Sequence, residues 1–319
     1  MSEMKITITG AAGYIGSSLC ELLARKLDCE IYAFDNLYYN QGTLVSNVFC
    51  RNSNIHFFNE DITDWSDNLS GAIKGSDFII PLAALVGAPL CNKYPEETVR
   101  VNYEWMETLV SKLLNETVIY PNTNSGYGTT ASDQLCTEDT PTNPISLYAK
   151  TKDDAEKILL QRYEKSIAFR LATVFGCSYR PRTDLLVNNL VKFALDHDHL
   201  TVFDGHFRRN YIHVRDICNA FLFAINNRDV MHGNVYNIGN DKINTTKLEL
   251  VEKICDRTGV SFSEDKSRTD PDKRDYVVSS QKLYDLGYEP IYTLSYGIDE
   301  MVKFYNIWNP LDEYKCKNY

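Results

Sequence analysis

Residues 6–17 read ITITGAAGYIGS and join a β-branched strand pattern to a helical pattern through a glycine-rich turn. Gly10 permits a tight turn, Gly13 lets the backbone approach a diphosphate, and Gly16 allows the helix to pack closely on a sheet. The first N–H groups of the helix and its dipole favour an anion at the same place. The stretch predicts a dinucleotide-binding turn. Its G-x-x-G-x-x-G spacing differs from the usual G-x-G-x-x-G, however, and three glycines can also form a purely structural turn.

Short β-branched or aromatic runs alternate with helix-length segments on both sides of this turn, over the first 170 residues. Such alternation is typical of βαβ units, which build a parallel sheet with helices on both faces. Strands are predicted at 5–9, 30–34, 55–58, 77–80, 118–120 and 167–170, and helices at 14–27, 95–114 and 147–163. We therefore predict the α/β class, with a doubly wound parallel sheet of the Rossmann type.

Beyond residue 170 the alternation becomes irregular, which predicts a smaller C-terminal lobe. We expect residues 1–170 to form the dinucleotide-binding domain, with a return segment near 211–240. The rest of 171–319 is expected to form mainly the substrate-binding lobe.

Asp35 ends the second predicted strand, where an acidic side chain accepts hydrogen bonds from the ribose of a dinucleotide. A carboxylate there repels the 2′-phosphate of NADP, and no Lys or Arg follows before Arg51 to neutralise it. NAD is therefore the predicted cofactor, unless Asp35 merely opens a turn before Asn36. Further cofactor contacts are expected from the glycine turn and from later strand ends, at Tyr14, Ile15, Asn36, Asp61, Ile62, Leu82, Ala83 and Ala84.

The run SLYAKTKDDAEKIL at 146–159 has a helical pattern that places Tyr148 and Lys152 on one face. A phenol has a pKa of about 10 in water, and a nearby ammonium favours the anion that can take up a proton. Thr123 follows the fifth predicted strand, at the sheet edge where doubly wound folds bind ligands. We expect its hydroxyl to bond the substrate oxygen that exchanges a proton with Tyr148. The alternatives are an exposed Tyr/Lys pair and a polar loop that caps itself.

The charge balance excludes several classes of function. The chain has 33 Lys and Arg against 43 Asp and Glu, a net charge of −10, so no general basic field recruits nucleic acid or an anionic membrane. Its apolar stretches are interrupted every few residues, so no membrane span is expected. The nine scattered cysteines contain no C-x-x-C pair, which favours reduced cysteines and a cytoplasmic location. His197 and His199 lack further ligands at metal spacing, so no metal is expected.

Together these segments resemble the extended short-chain dehydrogenase/reductase family, in its NAD-dependent nucleotide-sugar epimerase/dehydratase branch. Six motifs in order carry the resemblance: TGAAGYIGS, Asp35, Asp61-Ile62, NTNSGYG at 122–128, YAKTK at 148–152 and RRNYIHVRD at 208–216. The resemblance implies that Thr123, Tyr148 and Lys152 are catalytic. It also implies a nucleoside-diphosphate sugar as substrate and a homodimer built from the helices around 95–114 and 147–163. The candidate substrate contacts are Asn124, Ser125, Asn188, Arg209 and Arg274.

The expected reaction is hydride transfer at a carbinol of the sugar, and C4 is the expected carbon. The enzyme is then an epimerase or a 4-dehydrogenase/reductase. Dehydratases that the chain resembles place an Asp-Glu pair directly after the catalytic Thr. Here Asn124 and Ser125 follow instead, and neither is a competent acid or base near neutral pH. Thr173 stands where galactose-epimerase relatives carry Asn, which weakens an assignment to that enzyme. Two alternatives stay open: a dehydratase that uses carboxylates of the second lobe, and a catalytically silent NAD-binding sensor or scaffold.

Overall fold

The structure is a computed structural model and describes residues 3–129, 135–267, 275–308 and 316–318. Its strands are β1 Met4–Thr9, β2 Cys29–Asp35, β3 Ile55–Asn59, β4 Phe78–Pro81, β5 Thr117–Thr123, β6 Leu135–Cys136, β7 Ser166–Leu171, β8 Thr173–Phe175, β9 His199–Val202, β10 Arg208–Arg209, β11 Tyr211–His213, β12 Asn234–Ile238, β13 Thr245–Thr246, β14 Ser261–Glu264 and β15 Val277–Val278. Its helices are α1 Tyr14–Lys26, α2 Gly42–Leu44, α3 Asp67–Gly75, α4 Ala88–Lys93, α5 Pro95–Val99, α6 Trp105–Lys112, α7 Leu147–Arg162, α8 Leu186–Asp196, α9 Val214–Asn226, α10 Arg228–Met231, α11 Lys247–Thr258, α12 Gln281–Tyr284 and α13 Leu294–Ile307.

Seven of these strands form one parallel sheet, in the order β3-β2-β1-β4-β5-β7-β12. The chain builds outward from β1 to β3 and then crosses to β4, so the strand order reverses between β1 and β4. In doubly wound sheets a ligand crevice opens at such a reversal, beyond the carboxyl ends of the strands. Every residue of β4 and of β7 is buried, because helices cover both faces of the sheet. The predicted fold class is confirmed.

All six predicted strands take part in the sheet, and the return segment adds the seventh. This strand, β12, pairs in parallel with β7 and puts a segment from the second half of the chain at the sheet edge. The N-terminal core takes in residues of α9, the helix that precedes β12, such as Phe221 and Ala224. The fifth strand is longer than predicted and extends to Thr123.

The single helix predicted at 95–114 is wrong as a continuous α-helix. A π-helical turn, Arg100–Glu104, joins α5 to α6. Within this turn the carboxamide of Asn102 accepts from the amide of Leu85 and donates to its carbonyl, both at 2.9 Å. The side chain of Asn102 in this turn thus fixes the loop after β4. Such π-helical turns are frequent at functional sites.

A second apolar core lies outside the sheet and is built mainly by α8, α11 and α13. Its fully buried members include Val187, Leu250, Ile254, Ile298 and Met301. The short strand pairs β8–β11 and β9–β14 flank it.

Candidate active site

A cavity of about 960 Å³ lies at the carboxyl edge of the sheet. The sheet side supplies the glycine turn, Asp35, the loop after β4, the end of β5 and the start of α7. The other side supplies residues from the segment 173–189 together with Phe207, Arg209, Lys247, Tyr276 and Asn318. Most of the residues predicted for the cofactor and for catalysis line this one cavity.

The glycine turn has the backbone geometry that its residues permit. Gly10 has φ +66°, and a Cβ there would lie 2.5 Å from the amide nitrogen of Ala83, so only glycine lets the turn approach the end of β4. At Gly16 a Cβ would lie 2.3 Å from the carbonyl oxygen of Gly10. Gly13 precedes α1, and no side chain caps this helix. Because the first turn of α1 lines the cavity, its N–H groups are placed to receive an anion.

Tyr14 and Ile15, the first residues of α1, also line the cavity. The Tyr14 hydroxyl donates to the carbonyl oxygen of Gly176 at 2.7 Å and so ties α1 to the segment after β8. The predicted cofactor residue Tyr14 therefore has a structural bond as well.

Asp35 closes the glycine turn from the end of β2. Its carboxylate accepts from the amide of Ala12 at 3.0 Å and from that of Leu37 at 2.8 Å. Burial raises the pKa of Asp35, whereas these two hydrogen bonds and the charge of Arg180 lower it. Carboxylate oxygens have four acceptor sites, so capacity remains for ribose hydroxyls.

Asn36 and Asp61 lie side by side at the ends of β2 and β3. Asn36 is exposed and donates to the Asp61 carboxylate at 2.9 Å. The other Asp61 oxygen caps the turn that begins at Ile62, accepting from the amide of Thr63 at 2.9 Å. Leu82, Ala83 and Ala84 line the cavity after β4. All the predicted cofactor residues therefore lie along one wall.

Tyr148 and Lys152 lie on α7 and both face the cavity. Ser146 begins this helix by accepting from the amide of Ala149 at 3.1 Å, so the cap places Tyr148 in the first turn. Lys152 is 5% exposed, and its ammonium nitrogen lies 4.1 Å from the ring centroid of Tyr120. Burial lowers the pKa of Lys152 to about 7, and the charge of Glu156 raises it in part.

The Thr123 hydroxyl takes part in the cap of the turn Asn124–Tyr127. It accepts from the amide of Ser125 at 3.2 Å and donates to the Ser125 hydroxyl at 3.1 Å. Thr123 and Ser125 both line the cavity. Thr123 therefore caps its own turn, as one prediction had it, and also lies at the cavity, as the predicted catalytic role requires. Asn124, predicted as a substrate contact, is not among the residues that line the cavity. It is 1% exposed, and its carboxamide finds no partner among the described residues.

A buried polar network connects the end of β5 with α7. The Asn122 carboxamide accepts from the amide of Thr123 at 2.7 Å and donates to Glu156 at 2.6 Å. Glu156 lies one turn after Lys152 and forms an ion pair with Arg170, at 2.6 Å. The network fixes the end of β5 and α7 relative to each other, and the sequence patterns alone did not reveal it.

The substrate contacts predicted in the second lobe divide into three cases. Arg209 is buried, lines the cavity and lies 5.6 Å from the ring centroid of Tyr276. The carboxamide of Asn188 bonds the backbone of Gly176 and Arg182, and its neighbour Asn189 lines the cavity. Arg274 lies outside the described residues.

Three residues that sequence reasoning missed also line the cavity: Arg180, Arg182 and Asp184. Arg182 forms an ion pair with Asp184, in which its Nε donates at 2.6 Å. The mixed charges of RPRTD at 180–184 are a signal for these residues in the sequence. The sequence alone does not show that this segment lies at the cavity.

In the part of the chain that the structure describes, no group of three or more His, Cys, Asp or Glu is placed to hold a metal ion. The imidazole of His199 instead bonds the hydroxyls of Ser261 and Ser263. No helix within the described ranges is both long and apolar enough to cross a membrane.

Comparison with known proteins identifies the family. The sequence profile of the NAD dependent epimerase/dehydratase family matches residues 6–239. A low-salt glycan biosynthesis protein of Haloferax volcanii is 28% identical over 316 residues, covering 95% of this chain and 98% of that protein. The UDP-glucuronic acid 4-epimerase of Bacillus cereus, solved with UDP-glucuronic acid and NAD, matches with a TM-score of 0.83 and 26% identity, over 95% of this chain and 99% of that one. The dTDP-glucose 4,6-dehydratase of Bacillus anthracis, solved with NAD, matches with a TM-score of 0.80 and 25% identity, over 95% and 97%.

The chain belongs to the NAD-dependent epimerase/dehydratase family, and the resemblance inferred from its motifs is confirmed. It is an enzyme of this family, and NAD is its cofactor. The residues present fit this cofactor, because an uncapped helix N-terminus and the Asp35 carboxylate line the cavity where the diphosphate and ribose of a dinucleotide bind in Rossmann folds.

Proposed function

We propose that this protein acts on a nucleoside-diphosphate sugar by hydride transfer at a carbinol, expected at C4, as an epimerase or a 4-dehydrogenase/reductase. The observation that carries the proposal is that Thr123, Tyr148 and Lys152 line one cavity with the glycine turn. The relative crystallised with UDP-glucuronic acid supports the substrate class, since it matches over 95% of this chain. Arg209 is the proposed contact for the sugar nucleotide diphosphate, because a guanidinium binds phosphate oxygens in pairs.

Bound NAD supplies the hydride acceptor for such a reaction. Tyr148 removes the proton of the carbinol hydroxyl and later returns a proton to the carbonyl oxygen. The ammonium of Lys152 favours the phenolate of Tyr148, and Glu156 helps to keep that ammonium charged. Thr123, whose side chain is fixed by Ser125, orients the substrate oxygen.

Elimination of water is not part of the proposal, because it requires an acid and a base beside the sugar ring. The cavity-lining carboxylates among the described residues are Asp35, Glu60, Asp61, Glu97 and Asp184. Asp35 is the last residue of β2, Glu60 and Asp61 follow β3, and Glu97 acts electrostatically on Tyr38 of the loop after β2. Asp184 is already paired with Arg182. None of them is adjacent in sequence to Thr123, which is followed by Asn124 and Ser125.

The direct test is to incubate the purified protein with UDP-, GDP-, CDP- and dTDP-hexoses and to follow the mass of each product. An epimerase leaves the mass unchanged and retains NAD, whereas a dehydrogenase changes the redox state of free cofactor. A product lighter by one water would show a dehydratase and overturn the proposed reaction type.

Replacing the phenol separates catalysis from cofactor binding. Tyr148→Phe is expected to lower turnover by about a hundredfold to ten-thousandfold, the range for loss of a general base, while NAD still binds. Tyr296→Phe is the matched control, since Tyr296 is partly exposed and does not line the cavity. Unchanged turnover in Tyr148→Phe would revive the silent sensor or scaffold alternative.

We also propose that the protein is a homodimer built from the helices around 95–114 and 147–163. Partly exposed apolar side chains on the first of these, at Tyr103 and Val110, support this surface. Sedimentation analysis should give twice the monomer mass at micromolar concentration, and a monomer there would contradict the proposal.

For the domain division, we propose that residues 1–170 with the return segment near 211–240 form the cofactor domain, and that the rest of 171–319 binds the sugar nucleotide. The pairing of β12 with β7 and the separate apolar core around α8, α11 and α13 support this division. A cytoplasmic location is proposed because the nine cysteines are scattered along the chain and contain no C-x-x-C pair, as is typical of reduced cysteines.

A further inference from the structure

Arg180 is a buried cation in the wall of the cavity. The residue is 4% exposed, yet Nε and Nη2 of its guanidinium have no hydrogen-bond partner among the described residues. Its charged group lies 3.9 Å from the ring centroid of Tyr39. Burial and the neighbouring charge of Arg182 lower the pKa of Arg180 to about 10. A buried guanidinium with unused donors is costly unless a bound group satisfies it.

The nearby carboxylates are occupied by other donors. Asp35 accepts from the amides of Ala12 and Leu37, one on each oxygen. Asp184 accepts from the guanidinium of Arg182, and one of its oxygens also accepts from the amide of Asn318. Arg180 therefore has acidic neighbours that affect its pKa but leave its Nε and Nη2 without a hydrogen bond. These unused donors point to an anion that does not belong to the described residues.

The position of Arg180 indicates which anion this is. Tyr39 and Asp35 both belong to the end of β2 and the loop after it, and Asp35 is bonded to the glycine turn through Ala12. The first turn of α1 lines the same cavity and carries no side-chain cap. The guanidinium thus extends from the segment 173–189 to the cofactor side of the cavity, near Tyr39 and Asp35, where a helix N-terminus and a glycine turn can receive a diphosphate.

We propose that Arg180 binds a phosphate oxygen of a diphosphate ligand and that this diphosphate is the one in the cofactor. The other source of the same chemistry is the diphosphate of the sugar nucleotide. The inference rests on the cofactor assignment but not on the type of reaction catalysed.

The test is calorimetric titration of the full-length protein with NAD, ADP and adenosine, and separately with UDP, dTDP and uridine. Arg180→Met keeps the length of the side chain without its charge, and Arg180→Lys keeps the charge without the planar fork. We expect Arg180→Met to bind NAD and ADP about tenfold to a hundredfold more weakly, as for a lost hydrogen bond to a charged group, and to bind adenosine as before. Arg257→Gln is the control, since Arg257 is partly exposed, pairs with Asp299 and lies outside the cavity lining.

Thermal unfolding without ligand adds a second test. If Arg180 had only a structural role, Arg180→Met would unfold at a lower temperature than the wild type. Because Nε and Nη2 of the buried Arg180 have no hydrogen-bond partner among the described residues, Arg180→Met should unfold at the same or a higher temperature than the wild type. Arg180→Lys should keep part of the ADP affinity. An unchanged ratio of ADP to adenosine affinity in both variants overturns the proposal. A loss of UDP and dTDP affinity with ADP unaffected overturns the cofactor as the source. Failure of the wild type, first freed of any retained nucleotide, to bind NAD would contradict the cofactor site itself.

Discussion

Lys152 is the residue whose charge depends most directly on its surroundings. Burial lowers its pKa to about 7, from an ordinary value of 10.5. Because the folded pKa is the lower one, the unfolded chain binds more protons between these two values, so this group makes the free energy of unfolding rise with pH across that window. The cost of burying the charged ammonium of Lys152 is complete below the folded pKa of about 7 and disappears above the ordinary value of 10.5.

We therefore predict that the wild type gains stability relative to Lys152→Met as the pH is raised from about 7 to about 10. Urea unfolding of the ligand-free proteins at several pH values in this window measures the difference. Lys150→Met serves as a control, because Lys150 is exposed on the same helix and the pH dependence of its unfolding should follow that of the wild type. Parallel pH dependences of the wild type and Lys152→Met would refute the prediction.

Cofactor preference is also decided by single residues. We predict that the protein binds NAD at least about tenfold more tightly than NADP, and that Asp35→Ser reduces the difference, because the carboxylate repels the 2′-phosphate. Titration of both proteins with both cofactors measures it, and similar affinities of the wild type for NAD and NADP would count against it. The sequence argument found no Lys or Arg near Asp35, but the fold brings Arg180 there from a distant segment.

At the scale of elements, a strand end and a helix are coupled through Asn122 and Glu156. Asn122 bonds the backbone of Thr123 and the carboxylate of Glu156, which also pairs with the buried Arg170. Glu156 and Arg170 are 2% and 7% exposed, so removing one charge leaves the other without compensation in a medium of low dielectric constant.

We predict that Glu156→Gln lowers the free energy of unfolding by about 3–5 kcal/mol, the range for a broken buried ion pair. Turnover should fall by up to about a hundredfold with little change in KM, because the hydroxyl and the phenol lose their relative placement. Urea unfolding and steady-state kinetics measure the two effects, with the exposed Glu164→Gln as control. A Glu156→Gln protein equal to the wild type in both would rule out this coupling.

The elements themselves could be predicted from local patterns, because glycines, β-branched runs and helix periodicity act over a few residues. The glycine turn, the strands before Thr123 and the helix of Tyr148 and Lys152 follow from such patterns. The π turn around Asn102 could not, since its partner Leu85 belongs to another loop. Whether Asn188 or Asn189 lines the cavity depends on the rotation of α8 about its axis. Hydrogen bonds between Asn188 and the backbone of Gly176, which lies outside the helix, fix this rotation.

At the scale of the whole molecule, one cavity is lined by residues before and after position 170. The proposed cofactor domain and the second apolar core around α8, α11 and α13 both contribute to this cavity, and bonds such as that from Tyr14 to Gly176 connect the two parts. A ligand that contacts both walls stabilises the folded chain by its binding free energy and does so for both parts together.

We therefore predict a single thermal transition that NAD raises and that UDP or dTDP raises further in the presence of NAD. At a ligand concentration of a hundred times Kd each ligand adds about 2.7 kcal/mol, or a shift of about 4 °C for a chain of this size. Calorimetry with each ligand alone and with both together measures the shifts, and adenosine is the control for the base and ribose without diphosphate. Two separate transitions, each raised by only one ligand, would mean that the two parts unfold independently and that the shared cavity does not couple them.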